Sequence, residues 1–169
     1  PAAGPEFEAA EKSVSDRLAR LISIGGSQTA TTFHRRLGKI MWDLCGMTRN
    51  EQGLLKALEL VKGLRDEFWK DLRVPGSVND LNQELEKAAR IADFLELADL
   101  LVTDALDRKE SCGAHFREEY QTPDGEALRN DADYTYVAAW EYAGEGKPHI
   151  LHREPLKFEE AEMKVRSYK

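Results

Sequence analysis

Between Leu81 and Ala105 the chain carries two apolar stripes side by side at helical spacing, and this run limits the possible folds more than any other feature. Leu81, Leu85, Ala88, Ala92, Leu95 and Val102 form one stripe, and Ile91, Phe94, Ala98, Leu101 and Ala105 form the other. A helix on a protein surface needs only one such stripe. Two imply a wide buried face that touches two neighbours, which places this helix at the centre of a bundle. The capping-box-like Ser77-x-x-Asp80 predicts its start, and it should run to about Glu110. Leu97 and Leu100 extend the apolar surface further round, toward the C-terminal segment or toward something outside this chain.

Three helices are predicted before it. The first covers about 5–24, with Phe7, Val14, Leu18 and Leu21 or Ile22 at helical spacing, and Gly25-Gly26-Ser27 stops it. The second, about 29–46, carries an a/d-type stripe of Phe33, Leu37, Ile40, Leu44 and Met47. Gly46 suits a left-handed closing residue, and Thr48-x-x-Glu51 reads as a capping box for the third helix. That helix, about 49–73, carries Leu54, Leu58, Val61, Leu64, Phe68 and Leu72, and Val74-Pro75-Gly76 ends it. Tight breaks favour antiparallel neighbours. The expected fold is mainly α: an up-and-down bundle of three long helices, preceded by a shorter one, with Leu37, Leu58, Val61, Phe68, Leu85, Phe94 and Leu95 inside.

After Gly113 the sequence turns to Tyr, Val, Trp and turn residues. Thr122-Pro123-Asp124-Gly125 reads as a turn, and 134–142 and 148–153 read as strands of a hairpin joined at Gly144-Glu145-Gly146. Two strands are marginal alone, so they should pack on the helices or pair with a segment near His115. The organisation is therefore a helical bundle over 1–112 and a β-containing extension over 113–169 packed on it as one domain.

Net charge of −7 argues against a nucleic-acid partner, because phosphate binding rests on lysine and arginine displacing counterions. No apolar run approaches the roughly eighteen residues of a membrane span, so direct membrane insertion is not expected. Two cysteines, Cys45 and Cys112, are too few for a disulfide scaffold and fit a reducing, cytoplasmic setting. The opening Pro-Ala-Ala-Gly-Pro reads as a processing boundary, the edge of an excised domain.

Several constellations could carry chemistry. Cys112-x-x-His115 and His149-x-x-His152 have metal-like spacing, but residues three apart on a strand point to opposite faces. The plainer reading makes the two later histidines surface residues and lets Cys112 fill a small space; no metal site is expected. A thiolate at a helix C-terminus meets the negative pole of the dipole, which disfavours Cys112 as a nucleophile with His115 as its base. Gly25-Gly26-Ser27 lacks the lysine and further glycines of a phosphate loop and reads as an interhelix turn. Asp131, Asp133, Glu141 and Glu145 lack the spacing of a calcium loop and read as a solvated face. Arg108, Glu110, His115, Arg117, Glu118, Arg129 and Asp131 differ, because they converge where a helix exits under apolar strands. Buried charges persist only when paired, so these residues read first as a network fixing the path from helix to hairpin, and second as a contact with substrate.

The run Arg108-Lys109-Glu110-Ser111-Cys112-Gly113-Ala114-His115-Phe116-Arg117 resembles the R-x-E-S-R-G-x-H-x-R signature of the flavoprotein subunit of succinate dehydrogenase and fumarate reductase. Arg129-Asn130-Asp131 ahead of Tyr134 is similar to that family's R-D-D then Trp or Phe pattern, and 136–142 and Arg166-Ser167-Tyr168-Lys169 look like one branch of it. The departures are Cys112 where the commoner pattern has arginine and Val137 where it has histidine. The resemblance implies the family's C-terminal domain, a spectrin-repeat-like three-helix bundle that packs on the flavin-binding domain near the iron-sulfur subunit. It implies a parent enzyme that interconverts succinate and fumarate through bound FAD, passes electrons to or from quinone, and sits on the inner face of the cytoplasmic or mitochondrial inner membrane. No G-x-G-x-x-G fingerprint is present here, so no catalytic residue and no cofactor are expected in this segment. The expected role of the Arg108–Asp131 network is then domain docking, with Arg117 and Arg129 replaceable at little expense to the bundle itself. The rival reading is a free-standing helical interaction module.

Overall fold

The computed structural model of the chain describes residues 4–144 and 146–164. Helices α1 (Pro5–Ser23), α2 (Ala30–Cys45), α3 (Glu51–Asp71) and α4 (Gln83–Asp107) account for most of it, with a short α5 (Asp131–Tyr134) later. Six short strands fill the joints: β1 (Gln28–Thr29), β2 (Thr48–Arg49), β3 (Leu72–Arg73), β4 (Phe116–Arg117), β5 (Tyr136–Glu141) and β6 (Ile150–Pro155). The expected ending Arg166–Lys169 and the hairpin residue Glu145 lie outside the described residues.

The bundle is α2, α3 and α4, with α4 against both others as its double stripe requires. Its core joins Phe33 and Leu37 of α2, Val61, Leu64 and Phe68 of α3, and Leu85, Ile91, Leu95 and Ala98 of α4. Phe33 and Phe68 meet edge to face at 5.3 Å. A second cluster of Leu54, Ala57, Val102 and Ala105 closes the other end. The two stripes of α4 are not equally buried: Phe94 is 41% exposed beside the His34 ring, Leu101 is exposed, and Leu81 stands outside the helix altogether. Phe94 is therefore an edge residue of the core, not a central one. Leu58 is half-buried.

The helix ends correct the sequence reading in detail. Asn82 caps α4 by accepting the Leu85 N–H at 3.0 Å, while Ser77 and Asp80 bond each other within the preceding turn. Asn50, not Thr48, caps α3 by accepting the Gly53 N–H at 2.8 Å. Thr48 is instead a strand residue, paired with Phe116. Gly46 closes α2 with φ −71°, outside the left-handed region. Helix α1, at 19 residues, is longer than α2 at 16.

Gly25-Gly26-Ser27 is the tight joint the sequence suggests. Gly25 has φ 63°, and a Cβ on Gly26 would lie 2.2 Å from the backbone carbon of Asp71, so the joint between α1 and α2 and the end of α3 touch backbone to backbone. The amide and hydroxyl of Ser27 donate to the Asp71 carboxylate, so the chain's own anion occupies this turn. The β5–β6 hairpin pairs Tyr136 with Pro155 through Glu141 with Ile150. It packs on α4 through the Trp140 indole, which donates to Asp104 at 2.7 Å. The segment next to His115 does not join it but pairs in parallel with β2.

Candidate functional site

An α-helix leaves its last four carbonyls without partners inside the helix, and α4 ends beneath the C-terminal segment, where water access is limited. The signature residues supply the missing donors. Arg117 Nη1 donates to the Ala105 carbonyl at 2.9 Å and to that of Leu106 at 3.3 Å. The Tyr134 hydroxyl donates to Asp107 O at 3.0 Å, and His115 Nε2 meets Arg108 O at 2.9 Å. A guanidinium at this end also opposes the negative pole of the helix dipole.

The spacing follows from that task. Gly113, with φ 59°, lets Cys112 to His115 close as a tight turn, with Cys112 N to His115 O at 2.8 Å and His115 N to Cys112 O at 3.1 Å. Ser111 Oγ takes the Arg117 N–H at 2.8 Å and donates to the Arg117 carbonyl. The turn thus carries the chain back so that His115 and Arg117 face the helix they have just left. Cys112-x-x-His115 is a turn, and its histidine has both ring nitrogens engaged.

Glu110 is the hub on the other side. Its side chain is 2% exposed, it binds Arg108 at 2.6 Å, and its second oxygen accepts the Asn130 N–H at 2.7 Å. Asn130 in turn caps α5 by accepting the Asp133 N–H. Arg129 grips Asp131 at 2.6 Å, and Asp131 raises the arginine's pKa by that hydrogen bond. Arg117 is 1% exposed and shares its Nε with Glu119 at 3.1 Å. Glu119 also accepts the Glu51 N–H at the start of α3, where a carboxylate is favoured. Burial pushes the Glu119 carboxyl up, but these donors outweigh it and hold it below its ordinary value.

His115 accepts from Arg49 Nη1 at its Nδ1, 3.1 Å away, so the geometry fits the neutral tautomer with the proton on Nε2. Burial, with the Arg49, Arg117 and Arg108 cations around it, lowers its pKa against the opposing bond to Arg108 O. Arg49 also donates to Gly46 O, closing α2. The clasp therefore ties three helix ends together, those of α2, α3 and α4.

Six of the seven residues singled out in the sequence lie in this clasp, and the seventh, Glu118, sits at its edge, accepting from Asn50 Nδ2 at 2.6 Å. Sequence reasoning missed Arg49 and Glu119, and reached Asn130 only as part of the family's pattern. Asn130-x-x-Asp133 carried a capping signal, whereas nothing local links Arg49 to a histidine 66 residues away. A cleft of about 320 Å³ opens beside the clasp, between Arg108, Cys112, Arg129 and the tail residues Leu156, Phe158 and Met163. Arg108 and Arg129 on its wall are both held by carboxylates, which leaves their chemistry directed inward. His149 faces Asp99 at 3.5 Å and His152 meets Glu141 at 2.6 Å, and among the described residues no three potential ligands converge on a metal position.

Fold and clasp define a three-helix domain of spectrin-repeat-like form, whose signature residues hold its own helix ends and a short β appendage. The family described as fumarate reductase flavoprotein C-term matches residues 34–168. The chain belongs to this family, the C-terminal domain of the fumarate reductase and succinate dehydrogenase flavoprotein subunit. It is 26% identical over 161 residues to the fumarate reductase flavoprotein subunit of Haemophilus influenzae, covering 95% of this chain and 26% of that protein. It is 32% identical over 111 residues to an uncharacterized FAD-dependent oxidoreductase of Methanocaldococcus jannaschii, covering 66% of this chain and 20% of that protein. Among solved structures, a mutant quinol fumarate reductase of E. coli matches with a TM-score of 0.80 at 21% identity, over 96% of this chain and 27% of that one. The chain spans about a quarter of the length of these relatives.

Proposed function

We propose that this chain acts as the structural C-terminal domain of a flavoprotein subunit, packed on the FAD-binding domain of the same polypeptide and close to an iron-sulfur subunit. The parent enzyme would interconvert succinate and fumarate by hydride transfer to or from FAD and exchange electrons with quinone, attached peripherally to the inner face of its membrane. The family match over residues 34–168 carries this reading. The clasp supports it, because its charges are spent on helix ends and carboxylates, and a substrate dicarboxylate would have to displace them.

The described residues do not fit FAD. The described glycines sit at turns and joints or singly inside α2 and α3, with no glycine-rich strand-to-helix loop among the described residues, and the cleft beside the clasp is lined by two arginine–carboxylate pairs, Arg108 with Glu110 and Arg129 with Asp131. The flavin belongs, on this reading, to the preceding part of the subunit. The docking face then centres on the half-exposed side of the clasp, Arg129 and Asp131 with Arg108 behind them, while Glu110, His115 and Arg117 support it from within. The division into a bundle over 1–112 and an appendage over 113–169, docked as one unit, is part of the same proposal.

The test uses the whole subunit. Arg129→Ala should weaken its assembly with the iron-sulfur subunit, read by co-purification, and the 169-residue chain alone should show neither flavin absorbance nor succinate oxidation. Stoichiometric FAD binding by the 169-residue chain would overturn the assignment.

A further inference from the structure

Helix α1 is amphipathic yet almost bare. Every residue from Pro5 to Arg17 is exposed, and Leu21 is the only fully buried side chain of the helix. Phe7, Ala10, Val14, Leu18 and Leu21 nevertheless form one stripe in steps of three and four. Leu18 is half-buried, Val14 is 59% exposed and Phe7 is 57% exposed, so the stripe runs from the bundle's core outward until nothing covers it. Two contacts tether its inner end: Arg17 to Asp93 at 2.5 Å, and Arg20 stacked 4.1 Å from the Trp69 ring. The outer end has Gly4 at the cap position with no side-chain cap bond, and one internal ion pair, Lys12 with Asp16. An isolated helix of about a dozen residues is marginal in water, so three bare turns need a partner to persist.

We infer that the outer half of α1, through Phe7, Ala10 and Val14, is a docking ridge for the flavin-binding part of the same polypeptide. This rests on the proposed function above and names the surface it would use. Two observations and one physical argument select that occupant. The relatives are about four times as long as this chain, and because their matching region is the C-terminal one, most of that length precedes it. The match to quinol fumarate reductase leaves out only about 7 of the 169 residues, fewer than the bare part of α1, so much of the ridge belongs to the shared fold. A preceding domain would also reach the ridge intramolecularly, at high effective concentration and without association of a second molecule. The ridge has the composition of an interface: apolar residues in a line, flanked on the helix surface by Glu6 on one side and Glu11 on the other.

Hydrogen exchange decides it, comparing the complete flavoprotein subunit, free of the iron-sulfur subunit and monomeric, with the 169-residue chain. Amides 5–17 should exchange at least about tenfold more slowly in the subunit. The double variant Phe7→Glu, Val14→Glu should return them to the rate of the 169-residue chain, while amides of α2 to α4 stay at the parent rate, since residues 5–17 lie outside the bundle core. Fast exchange of 5–17 in the monomeric subunit overturns the inference. So does protection that appears only with the iron-sulfur subunit, or only as the subunit dimerises. The same experiment reads the Arg129–Tyr134 segment: protection there without protection of 5–17 sinks the ridge alone, and protection of neither sinks the docked domain as well.

Discussion

Glu110 and Asn130 are joined across twenty residues of chain by one 2.7 Å bond from a backbone N–H to a buried carboxylate. The same carboxylate holds Arg108, so a single side chain sets both the exit of α4 and the start of α5.

Replacing Glu110 with alanine should therefore destabilise the domain by about 3–5 kcal/mol, the range for removing one partner of a buried pair. Glu110→Gln keeps the shape and one acceptor, and should cost less. Urea unfolding followed by circular dichroism measures both, and equal midpoints for parent and Glu110→Ala would show that the hub contributes nothing. Arg117→Ala should fall in the same class, because its guanidinium is buried on the α4 carbonyls. The expectation that this arginine could be removed at little expense to the bundle does not suit that position. Arg129, with a side chain 24% exposed, suits it better.

Phe68 and Phe94 should separate sharply. Phe68→Ala deletes a fully buried ring and should cost about 3–5 kcal/mol. Phe94→Ala should cost about 1 kcal/mol, since much of its ring is already in water. Similar unfolding midpoints for the two variants would contradict the placement of the α4 stripes.

Two glycines should respond in opposite directions to alanine. At Gly26 the new Cβ meets the Asp71 backbone, and a loss of about 1–3 kcal/mol or more is expected from overpacking. At Gly38, within α2, it meets nothing within 4 Å, so alanine should stabilise by about 0.5–1 kcal/mol through helix propensity. Thermal unfolding of both variants checks the pair.

His115 should give the domain a pH dependence near neutrality. Its folded pKa is below the ordinary 6.5, so its contribution to stability is complete above 6.5 and is lost as pH falls through the lower folded value. Glu67, held at about 2 first by Arg36 and then by Gln28, acts at lower pH: its contribution is present above 4.5 and fades toward 2. Urea midpoints at about pH 7.5 and about pH 5.5 should fall further for the parent than for His115→Gln. Identical falls would assign the dependence to other groups.

The bundle was legible because helical periodicity is local: the stripes of α2, α3 and α4 are written in steps of three and four. Boundaries were less so, since Ser77 and Thr48 carry the same capping chemistry as Asn82 and Asn50, and tertiary contacts chose between them. Phe94 shows the limit of a stripe, which gives the direction of a side chain and not how far a neighbouring helix reaches over it. In the clasp, the residues of the signature could be picked out as a charged cluster. Their service to the carbonyls of α4 could not, because it depends on a turn at Gly113 that reverses the chain. Arg49 was beyond reach for a related reason, arriving from a different joint.

The pairing of Thr48–Arg49 with Phe116–Arg117 joins segments 68 residues apart, whereas each pair of successive bundle helices is joined by a short connection. Closing so large a loop carries an entropic cost that is recovered only once both ends are already in place. The pairing therefore depends on the bundle, because only the packed helices bring the joint before α3 beside the segment that follows α4. The clasp thus reads the register of a finished bundle, and a chain whose helices had packed wrongly would leave His115 without Arg49 and Glu119 without the Glu51 N–H.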